Sequence, residues 1–280
     1  MNKEILIICR GGGDLATGIV HRLFRAGYQV LILETAEPAA IRRQVSFCEA
    51  VYEGTATVEG VTAERICTAK KQAVEEVLQR GRIPILVDPD GRSIEVLKPD
   101  VVVDAIIAKK NLGTYKEMAP LVIGIGPGFV AGKDVHLVVE SMRGHNLARI
   151  LETGSALANT GIPGNIGGYT KERVIHAVAE GYMKNIHQIG DVVQKGEEIA
   201  RIYEQMSTDG IFSGKFVSVE ATIPGVLRGL IREGYHFQKG FKIADIDPRE
   251  SELANCFTIS DKASSIGGSV LEAVCRYVNG

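Results

Sequence analysis

The fold is decided by the stretch Ile5-Leu6-Ile7-Ile8-Cys9-Arg10-Gly11-Gly12-Gly13-Asp14-Leu15-Ala16-Thr17-Gly18, which joins a short apolar run to a cluster of glycines. An amphipathic segment covers residues 15–24, and a second apolar run, 30–33, ends at Glu34. Apolar runs of this length predict buried strands, and the periodic segment between them predicts a helix. The stretch therefore predicts a β-α-β unit with glycines at its first turn.

The glycine turn has the spacing of a nucleotide-binding loop. Gly11, Gly13 and Ala16 fit the pattern G-x-G-x-x-G/A, and Glu34 stands where a carboxylate accepts hydrogen bonds from ribose hydroxyls. Glycines let the backbone approach a phosphate closely, and the amides at the helix start attract its negative charge. We therefore predict that a phosphate-bearing ligand contacts Gly11, Gly12, Gly13, Asp14, Ala16, Thr17 and Glu34.

Two features near this loop leave alternatives open. The Asp14 carboxylate can cap the helix and would repel an anion, so a tight turn without a ligand also fits. Arg42 and Arg43 follow Glu34 and either bind a phosphate or face solvent. Because Glu34 favours a free 2′-hydroxyl whereas an arginine pair suits a 2′-phosphate, the sequence does not choose between NAD and NADP.

Strand and helix signals continue to alternate after Glu34. Residues 68–79 predict a helix, and residues 83–87 and 101–107 predict strands that are apolar almost throughout. Such strands, separated by helices, indicate a parallel sheet covered on both faces. Ligands of such sheets bind beyond the carboxyl ends of the strands. We therefore predict that the crevice is also lined by Asp88, Lys109 and Asn111.

An internal repeat occupies the second half of the chain. Residues 177–202 and 221–246 align at an offset of 44, with Gln194-Lys195-Gly196 matching Gln238-Lys239-Gly240. Duplication at a fixed offset predicts two copies of one supersecondary unit that bury a shared core. The pattern of glycine turns and strands resembles the halves of the lipoyl- and biotinyl-type barrel-sandwich hybrid. Since the lysines are duplicated within turns, we expect them to be structural rather than carriers of a cofactor.

Together these signals predict an α/β protein with a Rossmann-like parallel-sheet domain, followed by a smaller all-β, barrel-sandwich-hybrid-like domain with an internal repeat. The predicted boundaries are 1–150 for the nucleotide- or cofactor-binding domain, 151–175 for a glycine-rich connector, 176–250 for the duplicated domain and 251–280 for a C-terminal helical tail that packs on the main body.

Composition argues against several classes of function. A formal net charge of −2 gives no electrostatic reason to expect a nucleic acid or an anionic membrane as partner. No apolar run approaches the ~20 residues of a membrane span. The five cysteines are scattered without a C-x-x-C pair, and the six histidines are equally dispersed. This usage predicts a reducing compartment and supports neither a disulfide framework nor a metal site.

Several blocks resemble the YqeB family, among them RGGGDLATGIVHRLFRAG (10–27), EPAAIRRQVSFCEAVYEG (37–54), VDAIIAKKNLGT (103–114), VVESMRGHN (138–146) and ISDKASSIGGSVLEAV (259–274). The resemblance implies a bacterial cytoplasmic accessory protein that serves the maturation of selenium-dependent molybdenum hydroxylases such as xanthine dehydrogenase. The nucleotide-fold portion resembles the XdhC type, which implies handling of the molybdenum cofactor. The resemblance transfers no catalytic residue.

Three functions are compatible with these observations, and a maturation factor is preferred. Its ligand would be a phosphate-bearing cofactor or nucleotide, such as the pyranopterin phosphate of the molybdenum cofactor or its dinucleotide extension. Its partner would be a molybdenum hydroxylase, and its glycine loop would bind the phosphate. The first alternative is an NAD(P)-dependent oxidoreductase, which would need a proton donor near the nicotinamide. The second is a non-enzymatic adaptor that docks the hydroxylase.

Overall fold

The chain folds into two units. The computed structural model describes residues 5–159, 161 and 164–280. Unit 1 contains residues up to 38, residues 45–160 and residues 259–280, and unit 2 contains residues 39–44 and 161–258. Segment 39–44 therefore belongs with the second unit, and the C-terminal helix belongs with the first. Of the predicted domain 1–150 and connector 151–175, residues 1–4 and Thr160, Ile162 and Pro163 lie outside the described residues.

A nine-stranded sheet forms the centre of unit 1. Its strands are β1 (Leu6–Arg10), β2 (Gln29–Glu34), β3 (Thr55–Val58), β4 (Val61–Ile66), β5 (Ile83–Val87), β6 (Val101–Asp104), β7 (Leu121–Ile125), β8 (Leu137–Val139) and β9 (Ile150–Leu151). They lie in the order β3-β4-β5-β2-β1-β6-β7-β8-β9. All neighbours from β4 to β8 pair in parallel, whereas β3 and β9 pair antiparallel to β4 and β8.

Helices cover both faces of this sheet. They are α1 (Asp14–Arg25), α2 (Ala50–Glu53), α3 (Lys71–Gln79), α4 (Ser93–Leu97) and α5 (Asp261–Asn279). Because side chains alternate across a strand, Ile7 packs in one core with Leu23 of α1 and Val270 of α5, and Ile8 packs in the opposite core with Val74 of α3. Among the described residues, no helix combines the length and the apolar character that crossing a membrane requires.

Unit 2 contains two antiparallel sheets of four strands each. Its strands are β10 (Val174–His176), β11 (Gly181–Asn185), β12 (Val192–Val193), β13 (Glu198–Met206), β14 (Phe212–Glu220), β15 (Gly225–Leu230), β16 (His236–Phe237) and β17 (Lys242–Asp247). One sheet has the order β10-β17-β15-β12 and the other β14-β13-β11-β16. Each sheet therefore takes two strands from one copy of the repeat and one short strand from the other.

The two copies of the repeat exchange equivalent hydrogen bonds. The Gly190 amide donates to the carbonyl oxygen of Leu227 at 2.9 Å, and the Gly234 amide donates to that of Met183 at 2.7 Å. At the repeat offset of 44, Gly234 is the counterpart of Gly190, and Leu227 is the counterpart of Met183. The duplication seen in the sequence is therefore present in the structure, with each copy completing the other.

The predicted fold class, a Rossmann-like parallel-sheet domain followed by a barrel-sandwich-hybrid-like domain, is wrong. The large sheet is mixed, because the hairpin 55–66 and the short strand β9 add antiparallel strands at its two edges. Unit 2 forms two separate four-stranded sheets, to which β10 and β14 contribute from outside the two aligned copies.

Candidate functional site

The glycine loop between β1 and α1 is packed closely at its start and open at its end. Gly11 has a φ of +98°, and a Cβ added to it would lie 2.9 Å from the carbonyl oxygen of Ala105. A Cβ added to Gly12 would lie 3.1 Å from the backbone nitrogen of Cys48, whereas one added to Gly13 would meet no atom within 4 Å. Close packing therefore accounts for the first two glycines, and Gly13 marks the open side.

Two backbone amides of this loop already donate to carboxylates of the chain. The Gly12 amide donates to Oε2 of Glu34 at 2.7 Å, and the Leu15 amide donates to Oδ1 of Asp14 at 2.8 Å. An oxyanion at Gly12 would have to displace the Glu34 carboxylate. The predicted phosphate site at this loop therefore requires an exchange of hydrogen-bond partners.

Thr17 and Ala16 hold the shape of the loop from within α1. The Thr17 hydroxyl donates to the carbonyl oxygen of Gly12 at 3.2 Å and accepts from the Phe47 amide at 2.9 Å. Ala16 is buried in the core shared with β1. Both predicted site residues thus support the loop from its buried side.

Glu34 lies at the carboxyl end of β2 with both carboxylate oxygens fixed. In addition to the bond from Gly12, Oε1 accepts from the Thr35 amide at 2.8 Å. Burial raises the pKa of Glu34, and the hydrogen bonds from Thr35 and Gly12 act in the opposite direction. Each carboxylate oxygen accepts more than one hydrogen bond, so an oriented acceptor pair is available to hydroxyl donors.

Carboxylates give the buried side of the loop a negative character. Burial raises the pKa of the Cys48 thiol well above its ordinary value, and the charges of Glu34, Glu49 and Asp14 add to that rise. Cys48 donates its amide to the carbonyl oxygen of Gly12 at 2.9 Å, so the thiol that these charges act on belongs to a residue in contact with the loop. This environment favours a hydroxyl donor over a phosphate beside Gly12.

A buried ion pair joins the carboxyl ends of β1 and β6. Arg10 Nη1 lies 3.6 Å from Asp104 Oδ2, and both side chains are almost fully buried. The Thr114 hydroxyl donates to Asp104 Oδ2 at 2.5 Å and accepts from Arg10. Burial raises the pKa of Asp104, while the bonds from Thr114 and Ile106 and the charge of Arg10 oppose the rise. Asp104, a carboxylate among apolar residues of β6, therefore has its partners in Arg10 and Thr114.

This ion pair anchors the loop that carries Lys109 and Asn111. Asn111 Oδ1 accepts from the Thr114 amide and its Nδ2 donates to the Thr114 carbonyl, both at 2.7 Å, so its side chain closes a turn. Lys109 is exposed and has a φ of +62°, and the β-branched Ile107 has a φ of +60°. Positive φ at such residues is strained. The loop therefore presents Lys109 to solvent on a constrained backbone.

Asp88 follows β5 and holds the start of α4. Its Oδ2 accepts from the amide and hydroxyl of Ser93 at 2.7 and 2.6 Å, and its Oδ1 accepts from the Arg92 amide at 3.1 Å. Burial alone would raise the pKa of Asp88, but these bonds outweigh it and lower the pKa. Its observed contacts are those of a turn residue.

Arg42 and Arg43 belong to unit 2, whereas the glycine loop belongs to unit 1. The Arg42 guanidinium donates to the carbonyl oxygens of Asn255 at 2.9 Å and Thr258 at 3.2 Å. Arg43 Nε donates to the carbonyl oxygen of Leu230 at 2.8 Å. Both arginines therefore satisfy backbone carbonyls within unit 2.

Lys262, in the first turn of α5, is a site residue that the sequence did not single out. Burial lowers its pKa and the charge of Arg143 adds to this, while Asp14, Glu140 and Asp261 act in the opposite direction. Its ammonium group therefore lies in the electrostatic field of the glycine loop. The sequence signal that could have pointed to this position is the helix-start pattern of residues 260–263. In the structure the Ser260 hydroxyl accepts a hydrogen bond from the Ala263 amide at 3.2 Å.

The described residues contain no group of three or more His, Cys, Asp or Glu side chains arranged to hold a metal ion. All five cysteines are present as free thiols, and Cys67 is the exposed one. The candidate site consists of the glycine loop, Glu34, the loop that carries Lys109, and Lys262.

Comparison with known proteins gives a relative of greater length. No protein-family model matches the chain. The chain is 47% identical over 274 residues to the uncharacterized protein YqeB of Escherichia coli K12, a match that covers 98% of this chain and 48% of the relative. This match supports the YqeB family name. The chain spans about half the length of that relative. The match does not support an XdhC-like role, because the relative is itself described as uncharacterized.

Solved structures align with most of the chain at low similarity. The ectoine utilization protein EutE (DoeB) from Ruegeria pomeroyi is 12% identical with a TM-score of 0.28, and the alignment covers 87% of this chain and 85% of that one. A succinylglutamate desuccinylase from a Silicibacter species gives 12% and 0.26, and an aspartoacylase family protein from Mesorhizobium loti gives 11% and 0.29; each alignment covers 88% of this chain and 85% of the other. Likeness at this level transfers neither residues nor an activity.

The expected role in maturation of a selenium-dependent molybdenum hydroxylase is corrected by these comparisons. The structures that align over most of the chain are ectoine-utilization, desuccinylase and aspartoacylase proteins. Neither they nor the E. coli relative is a molybdenum-enzyme accessory protein by name. The comparisons therefore support the YqeB family name but not the accessory role that the resemblance implied.

Proposed function

We propose that unit 1 binds a small molecule with a vicinal diol, such as the ribose of a nucleotide, at the carboxyl edge of its sheet. The observation that carries this proposal is the Glu34 carboxylate, whose two oxygens are held in place by the amides of Gly12 and Thr35 at 2.7 and 2.8 Å. A carboxylate oriented in this way accepts one hydrogen bond from each of two neighbouring hydroxyls without reorganising.

The surroundings of Glu34 favour a hydroxyl donor at this position. The charges of Asp14 and Glu49 lie close to the same loop. A phosphate beside Gly12 would meet these charges and compete with Glu34 for the amide, whereas a hydroxyl group donates to Glu34 and leaves the Gly12 bond intact. The geometry therefore supports ribose recognition at Glu34 over phosphate binding at Gly12.

Among the predicted cofactors, this site suits NAD better than NADP. Glu34 prefers a free 2′-hydroxyl, which NAD has and NADP lacks. Binding of the pyranopterin phosphate of the molybdenum cofactor stays a prediction, and no contact of Glu34 favours it.

The proposal is tested by titrating the full chain with AMP and with 2′-deoxy-AMP by isothermal calorimetry. Hydrogen bonds to a charged group contribute about 1.5–3 kcal/mol, so the wild type should bind AMP at least about tenfold more tightly. E34Q should lose this preference. The matched control E37Q, which changes an exposed side chain three positions away, should keep it. Equal affinity of the wild type for both nucleotides, or no binding of AMP, would overturn the proposal.

A further inference from the structure

We propose that Lys262 binds an anionic group, a phosphate or a carboxylate, of the ligand whose diol contacts Glu34. This inference rests on the proposed diol site and adds the chemical class of the ligand, which is a polyhydroxylated anion. Three observations carry it: the backbone next to Lys262 packs against α1, which begins at the glycine loop; its ammonium has no partner among the described residues; and the acidic groups whose charges act on it accept hydrogen bonds from other groups.

The backbone of Lys262 is held close to α1. A Cβ added to Gly18 of α1 would lie 2.7 Å from the Cβ of Ala263, the residue that follows Lys262. A Cβ added to Gly267, one turn further along α5, would lie 2.6 Å from the carbonyl oxygen of Gly18. Contacts this close need small residues on both helices. They set the first turn of α5 beside the first turns of α1.

The ammonium group of Lys262 makes no hydrogen bond or ion pair with any residue of the described ranges 5–159, 161 and 164–280. Its side chain is nevertheless half-buried. Burial and the charge of Arg143 lower the pKa of Lys262, the direction expected when no anion is in contact with an ammonium. A ligand anion at this position would supply the missing partner.

The carboxylates that act on Lys262 from a distance are bound by other groups. Arg143 donates to both oxygens of Asp261 at 2.7 and 2.8 Å. Glu140 is buried, and its two oxygens accept from the amides of Met142 and Leu157, both at 2.7 Å. These acids are therefore held by donors other than Lys262.

The charge of Asp14 acts at both ends of the proposed site. Its Oδ1 accepts from the Leu15 amide at 2.8 Å, and its charge acts both on Cys48, next to Glu34, and on Lys262. The acidic end of the site therefore takes hydroxyl donors and the basic end takes an anion. A nucleoside monophosphate and a sugar acid both satisfy this polarity.

The first test measures anion contact with Lys262 directly. Lysines of the full chain are reductively methylated with ¹³C-formaldehyde, and their pKa values are followed by NMR with inorganic phosphate or succinate. The Lys262 signal is assigned by its absence in K262R. Either anion, by favouring the charged form, should raise the pKa of Lys262 and leave that of Lys71, an exposed lysine paired with Glu75, unchanged. If only phosphate raises the pKa of Lys262, the anionic group of the ligand is a phosphate. If only succinate raises it, the group is a carboxylate.

No upward shift with either anion, or an equal shift at Lys71, would overturn the assignment of Lys262. This result is independent of Glu34, because E34Q should show the same shift as the wild type. Loss of discrimination between AMP and 2′-deoxy-AMP would instead overturn the diol site and leave the anion contact standing. The two failures are therefore distinguishable.

The second test compares AMP with adenosine. A charge-assisted contact should make AMP bind about tenfold or more tightly than adenosine to the wild type. K262M should bring this ratio close to one while adenosine affinity is unchanged, and K71M should keep the wild-type ratio. An unchanged ratio in K262M contradicts the proposal, since the lysine would then have a purely structural role.

Discussion

Two adjacent glycines of α5 have opposite surroundings, and this difference tests how α5 is positioned. A Cβ added to Gly267 would lie 2.6 Å from the carbonyl oxygen of Gly18, whereas a Cβ added to Gly268 would meet no atom within 4 Å. The first contact involves a backbone atom, so it is relieved only when the two helices move apart. G267A and G268A therefore form a matched pair in one turn of one helix.

Helix propensity and packing give these two variants opposite signs. Alanine is favoured over glycine within a helix by roughly 0.5–1 kcal/mol, so G268A should raise the free energy of unfolding by about that amount. G267A has the same gain, but overpacking costs about 1–3 kcal/mol. The backbone contact with Gly18 places the cost near the upper end of this range. G267A should thus lose about 2 kcal/mol, and the variants should differ by roughly 3 kcal/mol.

Urea denaturation followed by circular dichroism at 222 nm measures this difference. All five described α-helices lie in unit 1, so the helical signal reports on the unit that contains the substitutions. G268A should unfold at a higher urea concentration than the wild type and G267A at a lower one. Equal stability of the two variants, or a more stable G267A, would refute the close contact between α1 and α5 on which the position of Lys262 depends.

Three further predictions concern buried and capped groups. R10M should destabilise unit 1 by about 3–5 kcal/mol in urea denaturation, because Asp104 would remain buried without its cation. This loss of stability should become smaller as the pH falls toward the raised pKa of Asp104. A loss below ~1 kcal/mol would contradict the role of the ion pair. Because the pKa of Asp88 is lowered in the folded protein, its carboxylate stabilises the fold above the ordinary carboxyl pKa, and this contribution disappears as the pH falls through the lowered pKa. The difference in unfolding free energy between wild type and D88N should therefore become smaller in acid. A difference that does not change with pH would contradict this role of Asp88. Iodoacetamide should label exposed Cys67 in the native protein well before buried Cys9, whose pKa burial raises far above the ordinary value; equal rates by peptide mass spectrometry would be inconsistent with this burial.

Local patterns predicted the first β-α-β segment well because its signals lie within one short stretch. The strands expected at 5–9, 30–33 and 83–87 are present as β1, β2 and β5, each within a residue or so. The antiparallel hairpin of β3 and β4 was missed. Its two-residue turn, Glu59-Gly60, has positive φ at both positions, and glutamate is not a residue typical of such turns.

Tertiary contacts decided what the local pattern could not. The strand predicted for 101–107 ends at Asp104, because the ion pair with Arg10 and the positive φ of Ile107 turn the chain into a loop. For Arg42 the sequence left open a phosphate ligand or a solvent-facing side chain, and the structure shows its guanidinium donating to carbonyls of residues 255 and 258, more than two hundred positions along the chain. Hydrophobic periodicity carries no information about partners at such separations.

The same limit explains why Lys262 was missed and what its position implies. Glu34 and Lys262 lie toward opposite ends of the chain, and they act on one loop because α5 packs against α1. Acidic charges act near Glu34, and the ammonium of Lys262 has no partner in the described part of the chain, so the proposed site has opposite polarities at its two ends. A ligand that presented its anion to Gly12 would meet Glu34, Glu49 and Asp14 and forgo Lys262. A ligand in the proposed orientation would gain the contacts with both Glu34 and Lys262, so these charges favour that direction of binding.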